Sequence, residues 1–525
     1  MPLSRRRGQN GRPWVPGDFA LRRTARIEWV ARIAFAALGL VAATALPARA
    51  AELRTAAEFF GPLLEVASPL RRPAPLAGDV VRRWNAIAID ASGLDHTPPA
   101  AGETRAFGEQ LGPGRASRAM AIVHVAVFEA VNAIAGGHQS WLGLRAAAKG
   151  TSLDAAVAQA AHDALVALYP SQANAFHVRL VEELLRVRDL RALVRGVELG
   201  RRAAAAVLAR RRDDGSDHAE PLYGDGFHPR DAAGWWRQDP ISLSPVALGA
   251  HWGAVRPFVL ASAADFRVPP PPAMTSPEYA AAYAEVRALG GDGVHSLTLR
   301  TQQQTDVGIY WAYDGTPSLC APPRLYNQIA VAIATERGTG VVQLARLLAL
   351  VNVAMADAGI AAWESKYHYQ LWRPVTGIRE SDPGSGPSGT GDGNDDTIGD
   401  PDWMPLGAPA SNLAGPNFTP PFPAYPSGHA AFGGALFQTL RRFYGTDAIA
   451  FTFTSDEWNG ATRDPDGNVR PLRPRSFASL SQAEEENGQS RIYLGIHWSF
   501  DKTAGIAQGR RVADAVTSRL YAPRR

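Results

Sequence analysis

Three short segments in the last third of the chain concentrate groups that bind or transform an oxyanion. The first is Lys366-Tyr367-His368-Tyr369-Gln370-Leu371-Trp372-Arg373-Pro374. Lys366 and Arg373 are seven residues apart, a spacing that predicts both cations on one face of a helix. Like charges aligned on a face repel unless an anion lies between them. A solvated basic face is the plainer reading, but the flanks Trp363, Tyr367, Leu371 and Trp372 are apolar or aromatic, and Lys366 is one of only three lysines. The second segment, Tyr425-Pro426-Ser427-Gly428-His429, opens a predicted helix. Free N–H groups and the positive end of the dipole favour an anion there. Ser427 adds a hydroxyl, Gly428 permits close approach to the backbone, and His429 can exchange a proton with a bound oxygen. The alternative is an ordinary serine cap beside an incidental histidine. The third segment carries Ser490-Arg491, His497 and Asp501. Arg491 offers a forked donor to a tetrahedral oxyanion. His497 and Asp501 are spaced i, i+4, so on a helix the carboxylate takes the Nδ1 proton and leaves Nε2 as a basic ligand or nucleophile.

That inventory suits a bound phosphate-like oxyanion, because three cations offset a charge that is otherwise too costly to bury. Nine other histidines, His124, His162 and His177 among them, read as structural or surface residues. Asp392-Gly393-Asn394-Asp395-Asp396 begins like a calcium loop, but Thr397 stands at the glycine position and the closing glutamate is missing, so a solvated loop is expected.

The elements that must position these groups are helices. Apolar residues recur at helical spacing over 117–135, 153–168, 173–212, 276–289, 325–364 and 427–443, while strand-like alternation is scarce. The expected class is all-α, with two bundles of the four-helix type and the site in the C-terminal one. Residues 219–275 and 381–426 are rich in Pro, Gly and Asp and read as loops. A boundary near 270–300 gives an N-terminal helical domain over 51–290 and a C-terminal one over 291–525. Residues 1–50 read as a signal peptide: nine arginines against two acids, an apolar run over 29–46, and Ala48-Arg49-Ala50 before Ala51. The leader therefore carries a net +7 and the remainder of the chain a net −3, which together make the chain's +4, and this removes the case for nucleic-acid binding. The mature chain is expected to be exported, periplasmic or secreted, without stable membrane insertion. A single cysteine, Cys320, excludes an intrachain disulfide and a Cys-based zinc or iron–sulfur site.

The order K-x6-R-P, P-S-G-H, S-R-x5-H-x3-D resembles the signature shared by vanadium haloperoxidases and the type-2 phosphatidic-acid-phosphatase-like acid phosphatases. Trp311-Ala312-Tyr313-Asp314-Gly315, Trp363 and the run PFPAYPSGHAAFGGALFQ at 421–438 are similar to the fungal-type chloroperoxidases in particular. The resemblance implies vanadate, one per chain, bound directly by His497 and held by Lys366, Arg373, Ser427, the Gly428 N–H and Arg491. His429 is implied as acid–base, Lys366 as the group that polarises peroxide, Asp501 as the orienter of His497, and Asp314 as a partner of one of the arginines. Hydrogen peroxide and halide are the implied substrates and hypohalous acid the product; bromide is expected and chloride rests on the apolar pair Trp363 and Phe422. The resemblance leaves the organic halogen acceptor open, since freely released hypohalous acid needs no acceptor site. His368 replaces an apolar residue of the fungal enzymes, which bears on the polarity of the pocket. The rival implied by the same signature is an exported acid phosphatase in which His497 attacks phosphorus and His429 protonates the leaving alcohol.

Overall fold

The structure, a computed structural model, describes residues 55–66 and 76–524; the signal peptide expected over 1–50 lies outside them. The helices are α1 (Ala56–Phe60), α2 (Val80–Asp95), α3 (Gly112–Ala135), α4 (Leu153–Leu168), α5 (Ala173–Leu184), α6 (Leu190–Arg210), α7 (Pro277–Gly290), α8 (Gln302–Tyr310), α9 (Pro322–Glu336), α10 (Val341–Tyr369), α11 (Pro374–Arg379), α12 (Gly428–Tyr444), α13 (Leu480–Tyr493) and α14 (Ser499–Arg519). The fold is all-α. The strands, β1 (Glu65–Val66), β2 (Leu222–Tyr223), β3 (Gly226–Phe227), β4 (Leu413–Ala414), β5 (Phe451–Phe453) and β6 (Arg475–Phe477), only pin loops.

Capping residues explain most boundaries. Ser152, Asp189, Ser276 and Ser427 each accept a backbone N–H of the first turn they open. Gly445, at φ 73°, ends α12. Two predicted helices are each split. Asp189 caps a new helix inside 173–212, giving α5 and α6. Gly338, at φ 64°, reverses the chain inside 325–364, giving α9 and α10.

α4 packs along α3 and α6 in the N-terminal half; α12 packs along α14 and α13 in the C-terminal half, with α10 against both α12 and α14. α10 also packs along α3, so the two groups share one hydrophobic core that runs from Val80 and Trp84 to Val512 and Val516. Hydropathy alone would let α3 and α10 cross a membrane, but their most apolar windows are 89% and 94% buried inside the fold. They are core helices.

Three features bring the site together. α12 and α14 touch through glycines: a Cβ on Gly505 would lie 2.7 Å from the Ser427 carbonyl oxygen, and one on Gly509 would lie 2.1 Å from that of Ala431. This closeness lets the Ser427 N–H donate to the Asp501 carbonyl at 3.0 Å. Asp357, buried in the middle of α10, accepts the N–H groups of Phe258, Val259 and Leu260 at 2.6, 2.9 and 3.1 Å and fastens that loop to the central helix. Antiparallel pairing of β1 with β4 carries the N-terminal segment across to the C-terminal half.

Candidate oxyanion site

Lys366 and Arg373 do not share a helix face. α10 ends with Gln370 in the left-handed region at φ 49°, its N–H closing on the Lys366 carbonyl, and Arg373 is the N-cap of α11. Pro374 enforces this, because the residue before a proline is pushed out of the helical region. The two cations meet across the break instead. Lys366 Nζ, fully buried, donates to the carbonyls of Pro423 at 2.8 Å and Ala424 at 3.0 Å. Arg373 donates through Nε to the Phe422 carbonyl at 2.9 Å, and through Nη1 to the Ile496 carbonyl at 2.8 Å and to His497 Nε2 at 2.9 Å.

His497 and Asp501 pair as their spacing predicts, although not on one helix. His497 precedes Trp498, the N-cap of α14, and Asp501 lies in the first turn. Asp501 Oδ2 receives His497 Nδ1–H at 2.7 Å and the Trp498 N–H at 3.0 Å. That network assigns the tautomer: Nδ1 carries the proton and Nε2 keeps a lone pair. Arg491, in the last turn of α13, donates through Nη2 to Asp314 Oδ1 at 2.6 Å. Its Nε and Nη1 have no partner, although the residue is only 1% exposed.

Ser427 caps α12, and Gly428 and His429 follow in its first turn. Gly428 lies under Trp363, whose ring would be 3.2 Å from an added Cβ. His429 Nε2 donates to the Ala312 carbonyl, which leaves Nδ1 as the nitrogen able to accept a proton. Tyr326 Oη and Asn487 Nδ2 both donate to the His429 carbonyl, at 2.9 and 3.0 Å, and hold that turn in place.

The electrostatics follow from burying like charges together. Burial, and then Arg373 and Arg491, hold the Lys366 ammonium well below its ordinary value. Burial lowers Arg373 to about 9 and raises the Asp501 carboxyl to about 7. Burial, then the surrounding cations, push both His497 and His429 well below the imidazole range, so both are neutral at neutral pH. Burial raises Asp314 while Arg491 opposes it. The site is thus short of negative charge, as a receptor for an anion must be.

The family model "VCPO second helical-bundle domain" matches residues 346–523. The matched residues run from within α10 past the end of α14. The chain is also 37% identical over 336 residues to vanadium chloroperoxidase of Curvularia inaequalis, a stretch that is 53% of this chain and 53% of that protein. It therefore spans about half the length of this curated relative. Two solved structures share the fold: a bacterial vanadium-dependent iodoperoxidase (TM-score 0.64, 24% identity, 86% of this chain and 98% of that one), and a bacterial vanadium-dependent chloroperoxidase in its apo form (TM-score 0.57, 15% identity, 78% and 94%).

Asp314, Trp363, Phe422, Gly428, His429, Arg491 and His497 line one cleft; Lys366, Arg373 and Ser427 adjoin it, Lys366 with its ε-carbon 3.9 Å from where a Cβ on Gly428 would stand, Arg373 bonded to His497 and to the Phe422 carbonyl, and Ser427 capping α12 next to Gly428. Trp363 and Phe422 meet with ring centroids 4.9 Å apart. Two cations lie over the Phe422 ring, Lys366 Nζ and the Arg373 guanidinium carbon, each 5.0 Å from its centroid. His368 is exposed and packs on Tyr369, so it adds nothing to the polarity of the cleft.

The sequence reading missed the residues that the N-terminal half contributes. The Leu248 carbonyl accepts Trp363 Nε1–H at 3.1 Å and Tyr367 Oη–H at 2.9 Å, and Gly249, at φ 75°, lies where a Cβ would meet the Trp363 ring at 2.4 Å. Phe59 and Phe60 of α1 and Phe418 complete the apolar wall. No motif marks these positions; only the loop-rich character of 219–275 hinted that this stretch serves something other than a core.

Proposed function

We propose that the protein is a vanadate-dependent haloperoxidase that oxidises halide with hydrogen peroxide to hypohalous acid. The observation that carries this reading is Arg491: a buried guanidinium with two unpartnered N–H groups, in one cleft with the imidazoles of His429 and His497. A buried orphan donor is costly, and an oxyanion is the ligand that satisfies it. The rest of the donor set fits vanadate. Arg491, Arg373, Lys366, the Ser427 hydroxyl and the Gly428 N–H would hold its oxygens, and His497 Nε2 would bind the metal. Bound vanadate supplies Lewis acidity that activates hydrogen peroxide toward halide without a change of metal oxidation state.

The chain's own groups do the rest. Asp501 holds the Nδ1 proton of His497 and leaves the lone pair on Nε2, which accepts from Arg373 Nη1 in this structure and would turn to the metal. His429, tethered through Nε2 to the Ala312 carbonyl, takes and returns protons at Nδ1. Lys366 and the two arginines lower the cost of negative charge as it moves among the oxygens. Trp363 and Phe422 exclude water from the halide's approach, which raises both the oxidising power available and the cost of a hydrated halide; bromide is the proposed substrate, and chloride oxidation rests on that same wall. The Arg-rich and then apolar first fifty residues support export, to the periplasm or beyond.

The test is bromide and chloride oxidation by metal-stripped protein, before and after orthovanadate. Activity that appears with vanadate and is suppressed by excess phosphate is expected. Absence of oxidation, with p-nitrophenyl phosphate hydrolysed and vanadate inhibiting, would replace this reading with the acid phosphatase.

A further inference from the structure

We propose that Glu457 is a positioning residue for the oxyanion site: through the Tyr313 amide it fixes the 312–314 segment, which ties His429 and Arg491 to one another. This deepens the proposed function and rests on the cleft being the place where an oxyanion binds.

The Ala312 carbonyl accepts His429 Nε2–H, and the Asp314 carboxylate accepts Arg491 Nη2–H at 2.6 Å. Between these two ties, Tyr313 is fully buried and stands in the left-handed region at φ 49°. A residue other than glycine keeps that conformation only where its surroundings enforce it. Tyr313 is gripped at both ends by one three-residue turn, Asp456–Trp458, in the connection between α12 and α13. Its phenol donates to Gln328 Oε1 at 3.0 Å and accepts the Asp456 N–H at 2.6 Å. Its backbone N–H donates to Glu457 Oε1 at 3.4 Å.

Glu457 is itself fully buried. Its Oε2 accepts the Ser411 hydroxyl at 2.6 Å and pairs with Arg470 Nη1, which also donates to Ser411 Oγ at 2.8 Å. Burial raises the carboxyl to about 7, and Arg470 opposes that rise. Ser455, the N-cap of the turn, donates to the Tyr310 carbonyl at 2.7 Å and fastens the turn to the end of α8. Two buried ion pairs, Arg470–Glu457 and Arg491–Asp314, are thereby linked through the backbone of Tyr313. A carboxylate can accept from Ser411, Arg470 and Tyr313 together, and an amide of the same shape cannot. In Glu457→Gln, Arg470 claims the amide oxygen and the NH₂ group is left facing the Tyr313 N–H, donor against donor. In Glu457→Gln/Arg470→Met the amide is free to flip, so its oxygen again accepts from Tyr313 while the Ser411 hydroxyl accepts from the NH₂.

Two readouts on the vanadium-free protein test this. Calorimetry gives the Kd for inorganic phosphate, and NMR of protein labelled at its histidine nitrogens follows His429, whose resonance is identified by its loss in His429→Gln. Glu457→Gln is expected to raise the phosphate Kd about tenfold, the lower end of what losing an outer-shell partner costs, and to shift the His429 Nε2 resonance. Arg470→Met, which keeps the acceptor, and Glu457→Gln/Arg470→Met are expected to stay within about threefold of the wild-type Kd with the resonance in place. Glu183→Gln, which breaks the buried Arg83–Glu183 pair between α2 and α5, is expected to lower the melting midpoint and to move neither readout. If Glu457→Gln does not fold, Glu457→Leu/Arg470→Met, an apolar pair without an acceptor, takes its place. The same gap of about tenfold from Glu457→Gln/Arg470→Met is then expected. An unchanged Kd and resonance in the folded variant without the acceptor overturns the proposal, as does a failure of Glu457→Gln/Arg470→Met to recover both. If the vanadate-loaded protein oxidises no halide but the phosphate and NMR pattern holds, the haloperoxidase reading fails and the role of Glu457 stands.

Discussion

At the scale of the residue, the site is a set of polar groups whose partners constrain one another. His497 is oriented by a carboxylate that also caps α14 through the Trp498 N–H, so one side chain serves both the helix start and the imidazole tautomer. Asp501→Asn keeps one acceptor oxygen but removes the charge. It is expected to weaken vanadate binding by roughly 10–100-fold, the usual cost of losing an outer-shell partner, with the fold retained; calorimetry and circular dichroism together check both halves of that statement. Phe422 has two buried cations over its ring and meets Trp363 in a tilted arrangement. Phe422→His replaces an apolar face by a polar, titratable ring, and the expected outcome is a lower chloride-to-bromide ratio of oxidation rates. An unchanged ratio would remove Phe422 from the determination of halide preference.

At the scale of the element, two contacts decide whether the signature segments meet. The α12–α14 crossing depends on glycine, since any Cβ at Gly509 collides with the Ala431 backbone. Gly509→Ala forces these helices apart and, through the Ser427–Asp501 backbone bond, separates the serine cap from the histidine–aspartate pair. A loss of about 1–3 kcal/mol is expected for such overpacking, with a larger proportional loss of vanadate affinity than a surface substitution causes; denaturant unfolding and calorimetry measure the two effects. The second contact is Asp357 on α10. Asp357→Ala leaves three backbone N–H groups of the 258–260 loop without an acceptor, at a cost of about 1–3 kcal/mol for each buried donor left unmet. The expected result is a large fall in denaturation midpoint, and a midpoint within experimental error of the wild type would refute the role given to this carboxylate.

At the scale of the whole molecule, a single core passes through both helical groups along the α3–α10 contact. Unfolding is therefore expected to be one cooperative transition by calorimetry, and two resolved transitions would mean that the halves are energetically separate. Because the anion binds only the folded chain, saturating vanadate at a hundredfold its Kd adds about 2.7 kcal/mol of stability. The melting midpoint is expected to rise with orthovanadate in the wild type and to rise much less in His497→Ala, which lacks the nitrogen proposed to bind the metal.

What the sequence determined by itself is the chemistry. Residue type and order alone single out Lys366, Arg373, Ser427, Gly428, His429, Arg491 and His497 as a set suited to an oxyanion, since such a ligand demands cations, a helix start and imidazoles whatever the scaffold, and the fold gathers them in or beside one cleft. Helical class is equally legible, since the 3.6-residue apolar period is a local property, and so are caps such as Ser427 and Gly445. Local pattern failed where a single residue redirects the chain: Pro374 and the left-handed Gln370 place Arg373 at the head of a new helix, although its spacing from Lys366 suited a continuous one. Tertiary structure alone decided what walls the site. Leu248, Gly249, Phe59 and Phe60 are ordinary loop and core residues by sequence, and they act on the site only because β1–β4 pairing and the α3–α10 contact carry the N-terminal half over the end of the C-terminal bundle. Such long-range contacts arise from complementary surfaces, and no short stretch of sequence records them.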